Sequence, residues 1–116
     1  MPSSPKSVVF LGSSLDDLRD FPLPARQDVG FQIDRVQRGG MPSDFKPMPD
    51  VGAGVFELRI RTDGNAHRVF YVAKFDEAVY ILHAFEKKTP KTSKADLDAG
   101  RRRYAELRDL RANEHP

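Results

Sequence analysis

The sequence predicts one α+β domain, in which two N-terminal helices pack on a mostly antiparallel sheet and a third helix ends the chain. Three changes of pattern predict it. Apolar residues recur at helical spacing between residues 14 and 38, alternate with polar residues between 55 and 85, and return to helical spacing after residue 94. The chain of 116 residues is long enough for one hydrophobic core and too short for two.

The first third of the chain is predicted to hold a strand and two helices. Residues 6–11 (KSVVFL) favour a short strand because they are rich in β-branched and aromatic side chains. The serine pair 13–14 offers an N-cap for a first helix, which Pro22 ends. Pro24 opens a second helix and the glycine pair 39–40 closes it. The apolar face of this second helix consists of Ala25, Val29, Ile33 and Val36.

The middle of the chain is predicted to form three strands. Residues 41–54 contain prolines and glycines with no sustained period, which indicates an ordered connection at most. Residues 55–61 (VFELRIR) alternate between apolar and charged, as in a strand with one buried face. Turn residues 63–64 follow in a linker, TDGNA, that we expect to be longer than a two-residue hairpin loop. Further strands at 67–75 and 78–85 complete an antiparallel meander.

The last predicted element is a helix over residues 94–112. Ser93 is a suitable N-cap, and Asp96 completes a capping box. Its apolar stripe consists of Leu97, Tyr104 and Leu107. The predicted order of elements is therefore β-α-α-β-β-β-α.

Composition excludes several kinds of chemistry. The chain has no cysteine, which excludes disulfides and thiolate catalysis. The first residues lack the features of a signal peptide and all apolar runs are strand-sized, so we expect a cytoplasmic protein with no membrane segment. His67, His83 and His115 are scattered, so no metal site and no cofactor is predicted. We expect His67, at a turn, and His115, in the tail, to lie on the surface.

Positive charge is concentrated in one segment. Residues 86–103 carry seven Lys or Arg and three Asp or Glu, a net charge of +4, whereas the whole chain carries +2. Such a patch is suited to neutralise phosphates. It is also typical of the solvated start of a helix, and charge alone leaves both interpretations open.

Three segments, GVFELRIR, HRVFYV and LHAFEKKTPKT, follow the two helices in this order. With this spacing the chain resembles, over roughly residues 6–105, the phage-related branch of the RelE/HigB toxins of bacterial type II toxin–antitoxin systems. The resemblance implies a RelE/ParE-like fold, with two helices on one side of a twisted antiparallel sheet. It also implies an mRNA interferase, an endoribonuclease that inhibits translation by cutting mRNA in the ribosomal decoding site.

The resemblance further implies the chemistry and the partners. The ribose 2′-OH attacks the adjacent phosphate without a metal or small-molecule cofactor, which leaves a cyclic phosphate and a free 5′-OH. The implied partners are the ribosome, its mRNA and a cognate antitoxin. In the HigB branch this antitoxin is often a HigA-like helix-turn-helix protein that also binds the operon's DNA.

The arginines of the predicted sheet are the first candidate site residues. A dianionic phosphorane needs preorganised cations. Arg68 matches the family's catalytic arginine, and the resemblance assigns it to the phosphate in the transition state. Arg59 and Arg61, on the charged side of their strand, would hold the RNA backbone through their planar guanidinium groups. The alternative is a solvated strand face, paired across strands with Glu57 or Asp63.

The lysines at the end of the last predicted strand are the second set of candidate site residues. RelE toxins carry a basic residue there that protonates or neutralises the leaving group. Side chains alternate along a strand, and we therefore choose Lys87, which shares a face with His83. A bulge at the strand end would reverse this choice. Lys88 and Lys91 are expected to bind the RNA substrate, unless the lysines only discourage edge pairing.

The general base stays open between four kinds of group. Arginine does not deprotonate in proteins, so the candidates are His83, Glu57, Glu86 or a lysine. Histidine suits proton transfer near neutral pH, and we place His83 with the catalytic residues, although a lone histidine in a strand is often only hydrogen-bonded. RelE toxins also carry a tyrosine just after the basic strand end, where this chain reads TPKTSK. The next aromatic residue, Tyr104, falls on the apolar stripe of the helix.

Two other functions remain open on the sequence. A ParE-like toxin shares the fold but inhibits DNA gyrase by binding protein. A catalytically degenerate, phage-derived protein would bind RNA without cutting it. The convergent set of basic residues favours the RNA-cutting toxin over the gyrase inhibitor.

Overall fold

The computed structural model describes residues 4–114, so His115 lies outside the described residues. The elements are β1 (Ser7–Phe10), α1 (Ser14–Arg19), α2 (Leu23–Gln37), β2 (Phe45–Pro47), β3 (Val55–Thr62), β4 (Asn65–Val72), β5 (Ala78–Lys87) and α3 (Lys94–Glu114). One sheet has the order β1-β5-β4-β3-β2, with β1 parallel to β5 and the other neighbours antiparallel. The predicted α+β class and the meander of β3, β4 and β5 are confirmed.

Helices cover both faces of the sheet. The core cluster on the α2 side contains Val29, Ile33, Leu58, Val69 and Ile81, with Leu18 of α1 packed against it. The cluster on the other side contains Phe70, Val72, Leu82 and, from α3, Leu107. A Cβ atom at Gly100 would lie 2.8 Å from the ring of Phe70, so this glycine lets α3 approach the sheet closely. No helix among residues 4–114 is long and apolar enough to cross a membrane.

The predicted caps form at the end of α2 and at the start of α3, whereas Ser13, the N-cap of α1, makes no side-chain cap hydrogen bond. Gly39 has a φ of +90° and its N–H bonds the carbonyl of Val36 at 3.0 Å, while the N–H of Gly40 bonds the carbonyl of Arg35 at 2.8 Å. These bonds satisfy the last carbonyls of α2, as expected of a glycine cap. At the start of α3, the N–H of Asp96 donates to the Ser93 hydroxyl at 3.1 Å.

The connection over residues 41–54 contains a strand that the prediction missed. Its three residues, β2, pair with β3 so that Phe45 lies opposite Leu58. Three residues are too few to show a period in the sequence, and Pro47 suits only an edge strand. The edge position therefore explains both the irregular composition and the missed strand.

The turn between β3 and β4 is tighter than predicted. Thr62 pairs with Asn65, which leaves only Asp63 and Gly64 in the loop. Both have positive φ, +50° and +80°, the conformation of a type I′ hairpin turn. The expected longer linker is wrong because the ladder continues to the turn itself. His67 is consequently a strand residue, 1% exposed, and its predicted surface position is also wrong.

Candidate nucleic-acid interface

The register of β3, β4 and β5 places four of the predicted basic residues on one face of the sheet. Directly opposed residues of paired strands share a face. Three rows cross these strands: Glu57, Phe70 and His83; Arg59, Arg68 and Phe85; and Arg61, Ala66 and Lys87. Phe70 belongs to the core cluster on the α3 side, which identifies the face. We call Arg59, Arg61, Arg68 and Lys87 the cationic face.

Lys87 shares this face with His83, as predicted. A β-bulge does interrupt β5, but it lies at Leu82, because Phe70 pairs with His83 and Tyr71 pairs with Ile81. The bulge precedes His83, so the alternation from His83 to Lys87 is intact. Lys87 therefore lies on the face of His83, as the alternation predicted, while its role in a site stays a prediction.

Glu57 is the buried centre of the cationic face. Its side chain is 2% exposed, and its Oε1 atom lies 3.5 Å from the Nε atoms of both Arg59 and Arg68. Its Oε2 atom accepts a hydrogen bond of 3.2 Å from the Thr92 hydroxyl. One carboxylate thus connects two strands to the segment that precedes α3. Glu57 was predicted as a candidate base or as an ion-pair partner of the arginines, whereas no local pattern indicated Thr92.

Arg68 is held beneath the surface of this face. Its residue exposure is 7%, and its Nη1 atom donates to the carbonyl of His67 at 3.1 Å. Its Nε atom is buried and has no hydrogen-bond partner among residues 4–114, despite lying 3.5 Å from Glu57. Burial lowers the pKa of Arg68, the Glu57 carboxylate opposes that effect, and the charges of Arg59 and Arg61 add to it. The guanidinium nevertheless stays charged, because arginine does not deprotonate in proteins.

The accessible cations lie around Arg68. The side chain of Arg59 is 33% exposed, Arg61 is exposed and Lys87 is half-buried. Within the part of the chain that the structure describes, Arg61, Lys87 and Lys91 have no carboxylate within 4.0 Å. Lys88 is exposed and lies 3.8 Å from Glu86. Arg59, Arg61 and Lys87 therefore form an open positive rim on this face, and the protein provides no carboxylate within 4.0 Å of Arg61 or Lys87 among residues 4–114.

His83 is tied to α3 rather than to the cations. Its Nε2 atom lies 2.8 Å from Oδ1 of Asp96, whose Oδ2 accepts a 2.7 Å hydrogen bond from the Ser93 hydroxyl. Its ring stacks on Phe85, with the centroids 5.1 Å apart. With Asp96 as acceptor, His83 donates from Nε2 and keeps Nδ1 as its basic nitrogen. The capping residue Asp96 thus has a second partner that sequence spacing did not indicate.

Two other titratable groups lie on the opposite side of the sheet. Glu86 pairs in register with His67, in the row of Ile60, and faces the α2 side. The sheet therefore separates Glu86, one of the candidate bases, from the cationic face. The pKa of His67 is lowered, mainly by burial and further by the charge of Arg68. Glu86, whose Oε1 atom lies 3.8 Å from Nε2 of His67, opposes this effect. His67 also contacts the ring of Phe21 at 4.4 Å between centroids.

Aromatic rings beside the cations are buried. Phe70 and Phe85 are 0% and 8% exposed, so neither presents a face for a base to stack on. Tyr104 packs against the core cluster on the α3 side, as predicted, and its hydroxyl donates to the carbonyl of Ala53 at 2.9 Å. No group of three or more His, Asp or Glu side chains among residues 4–114 is placed to hold a metal ion.

Comparison with known proteins gives one family. The model of the family described as phage-derived protein Gp49-like (DUF891) matches residues 16–105. This segment extends from α1 into α3 and includes every residue of the cationic face. No curated protein matches the chain.

Proposed function

The chain belongs to the Gp49-like family of phage-derived proteins, and we propose that it is the toxin of a type II toxin–antitoxin system that cuts mRNA on the ribosome. The family is tied to RelE-like toxins, which supports a toxin. The observation that carries the proposal is the rim on one face of the sheet, where Arg61 and Lys87, which have no carboxylate within 4.0 Å among residues 4–114, lie beside Arg59.

The arrangement of these cations suits an RNA backbone. Arg61 and Lys87 lie in one row with Ala66 between them, so the strands that bear them are two strand spacings apart, about 10 Å. Because the side chain of Ala66 is small, it leaves a shallow depression between the two positive groups. A single-stranded phosphate backbone lying there would displace counterions and form charge-assisted hydrogen bonds.

The proposed reaction is transesterification within the RNA. A base removes the proton of the ribose 2′-OH, the 2′-oxygen attacks the adjacent phosphorus, and the 5′-oxygen leaves and takes up a proton. The products are a 2′,3′-cyclic phosphate and a 5′-OH. The cationic face supports this step because fixed positive charges stabilise the dianionic transition state.

We assign the two proton transfers to His83 and Lys87. His83, fixed by Asp96, is the proposed base, and its Nδ1 atom remains as the acceptor. Lys87, at the end of β5 with no carboxylate within 4.0 Å among residues 4–114, is the proposed donor to the leaving oxygen. Phe85 lies between the two along β5, on the same face of the sheet.

The proposed partners follow from this activity. They are the ribosome and its mRNA, which places the protein in the cytoplasm, and a cognate antitoxin of the helix-turn-helix type. No small-molecule cofactor is required by the proposed reaction. A bound antitoxin that covers the cationic face would inhibit the toxin by blocking access to RNA.

The competing function best supported by an observation is RNA binding without cleavage. Burial of Phe70 and Phe85 leaves the cationic face without an exposed stacking ring, and Arg68 is also buried. A protein with these properties would still bind phosphates. Inhibition of gyrase, as in ParE-like toxins, would instead leave the cationic face without a specific role.

Primer extension on a translated reporter mRNA tests the proposal. The purified protein is added to a translation system with ribosomes, and to the same mRNA without them. Cuts inside codons that appear only with ribosomes are the expected result. Intact mRNA from a protein that arrests growth would overturn the proposal and favour a protein target such as gyrase. Intact mRNA with tight RNA binding would favour the degenerate binder.

A further inference from the structure

Two arginines lie directly opposite each other on β3 and β4 and share one carboxylate. Arg59 and Arg68 are register partners, and each Nε atom lies 3.5 Å from Oε1 of Glu57. Charge-assisted hydrogen bonds of this kind are usually about 2.7–2.9 Å long. Both contacts are therefore longer than a full hydrogen bond, and a better acceptor can compete for either arginine that it can reach.

The two arginines differ in their exposure to solvent. The side chain of Arg59 is 33% exposed, whereas that of Arg68 is 9% exposed. The Nε atom of Arg68 is buried, and its Nη1 atom is bonded to the carbonyl of His67. A phosphate oxygen can reach little of the Arg68 guanidinium, whereas a third of the Arg59 side chain is open to it.

We infer that Arg59, rather than Arg68, is the arginine that contacts the RNA phosphate, and that Arg68 and Glu57 are positioning residues beneath it. This inference rests on the proposed function, because it names the group on the cationic face that binds RNA. Arg68 neutralises the buried carboxylate of Glu57. Without Arg68, Glu57 would bind Arg59 more tightly and remove it from the phosphate.

Thr92 extends the same arrangement to the loop that carries the lysines. Its hydroxyl donates to Oε2 of Glu57, the oxygen that does not face the arginines. Thr92 follows Lys91 directly, so this bond fixes the loop next to the arginine pair. Glu57 thereby sets the distance between the cations of β3 and those of the loop.

The salt dependence of RNA binding tests the inference. The probe is a fluorescently labelled 2′-O-methyl oligouridylate, which cannot undergo attack by a 2′-OH. Each phosphate contact on single-stranded nucleic acid contributes about 0.7 to the slope of log K against log salt. Arg59→Gln is expected to reduce the slope by about 0.7, which corresponds to about a fivefold loss of affinity at 0.1 M salt.

Three further variants distinguish an arginine that contacts the phosphate from a residue that only positions it. Arg68→Lys retains the charge beside Glu57 and is expected to leave the slope unchanged. Arg26→Gln removes the same charge from an exposed position of α2 and is expected to change neither slope nor affinity. Glu57→Gln, which frees Arg59, is expected to raise the affinity.

Two results would overturn the inference. One is a wild-type slope in Arg59→Gln together with a reduced slope in folded Arg68→Lys. This result would show that Arg68 contacts the RNA phosphate. The other is a wild-type slope in both variants, which would place the phosphates elsewhere on the rim. Wild-type protein that shows no salt-dependent binding would refute the proposed function itself, and the inference with it.

Discussion

The buried pair of Glu57 and Arg68 should dominate the stability of the sheet end that carries the cationic face. Glu57→Leu leaves the guanidinium of Arg68 buried beside Arg59, and Arg68→Leu leaves the carboxylate with one partially exposed partner. Breaking a buried pair in this way costs about 3–5 kcal/mol. For a chain of this length that corresponds to a fall in Tm of about 12–20 °C, at about 4 °C per kcal/mol.

The double variant Glu57→Leu with Arg68→Leu should lose less stability than either single variant. It removes both charges at once and replaces them with apolar side chains, an exchange that is often nearly neutral. Urea unfolding of the four proteins gives the coupling energy, which we expect to be about 2 kcal/mol or more.

An exposed pair provides the matched control for this cycle. Asp34 and Arg38 are 3.1 Å apart on α2, with exposures of 51% and 62%. Alanine substitutions there should show a coupling below about 1 kcal/mol. The reasoning is refuted if the Glu57–Arg68 coupling is no larger than that of the exposed pair, or if the double variant loses the sum of the two single losses.

Two further predictions concern other ionisable groups. The hydroxyl of Tyr71 is buried with no hydrogen-bond partner among residues 4–114, and burial raises its pKa to about 12. Tyr71→Phe should therefore raise the free energy of unfolding in urea by about 1 kcal/mol. It should also reduce the loss of stability between pH 10 and 12, because in that range Tyr71 ionises only in the unfolded chain. The pKa of Glu77 falls to about 2, since hydrogen bonds from Tyr80 and Arg111 outweigh the opposing effect of desolvation. The ionised Glu77 carboxylate therefore stabilises the fold above pH 4.5, the pKa of the unfolded chain, and this stabilisation is lost as the pH falls towards 2. Glu77→Gln should consequently flatten the acid side of a curve of Tm against pH.

The features that could be predicted from the sequence depend on neighbours in the chain. The alternation of Phe56, Leu58 and Ile60 with charged residues determines a strand and its buried face within seven residues. Likewise, the glycine pair 39–40 and Ser93 act on backbone groups within one helical turn. These local signals were sufficient for the order of all elements except the edge strand β2, and for the face that carries Lys87 and His83.

The features that were missed depend on residues far apart in the chain. Thr92 contacts Glu57 across 35 positions, and no local pattern signals that bond. The burial of Arg68 results from the shared carboxylate of Glu57 and from the core around Phe70 and Phe85. A polar residue on an alternating strand is expected to face solvent, but Glu57 and Arg68 are both buried, and Thr92 from the segment after β5 bonds Glu57.

The proposed chemistry is tested most directly by the ends of the RNA fragments. The wild-type protein and two single variants, Lys87→Gln and Arg26→Gln, are incubated with translating ribosomes, and the new ends on the mRNA are analysed. We expect 2′,3′-cyclic phosphate and 5′-OH ends inside codons, fewer of them with Lys87→Gln, and the wild-type yield with Arg26→Gln. Fragments with 5′-phosphate ends, or intact mRNA during growth arrest, would contradict attack by the 2′-OH on the cationic face.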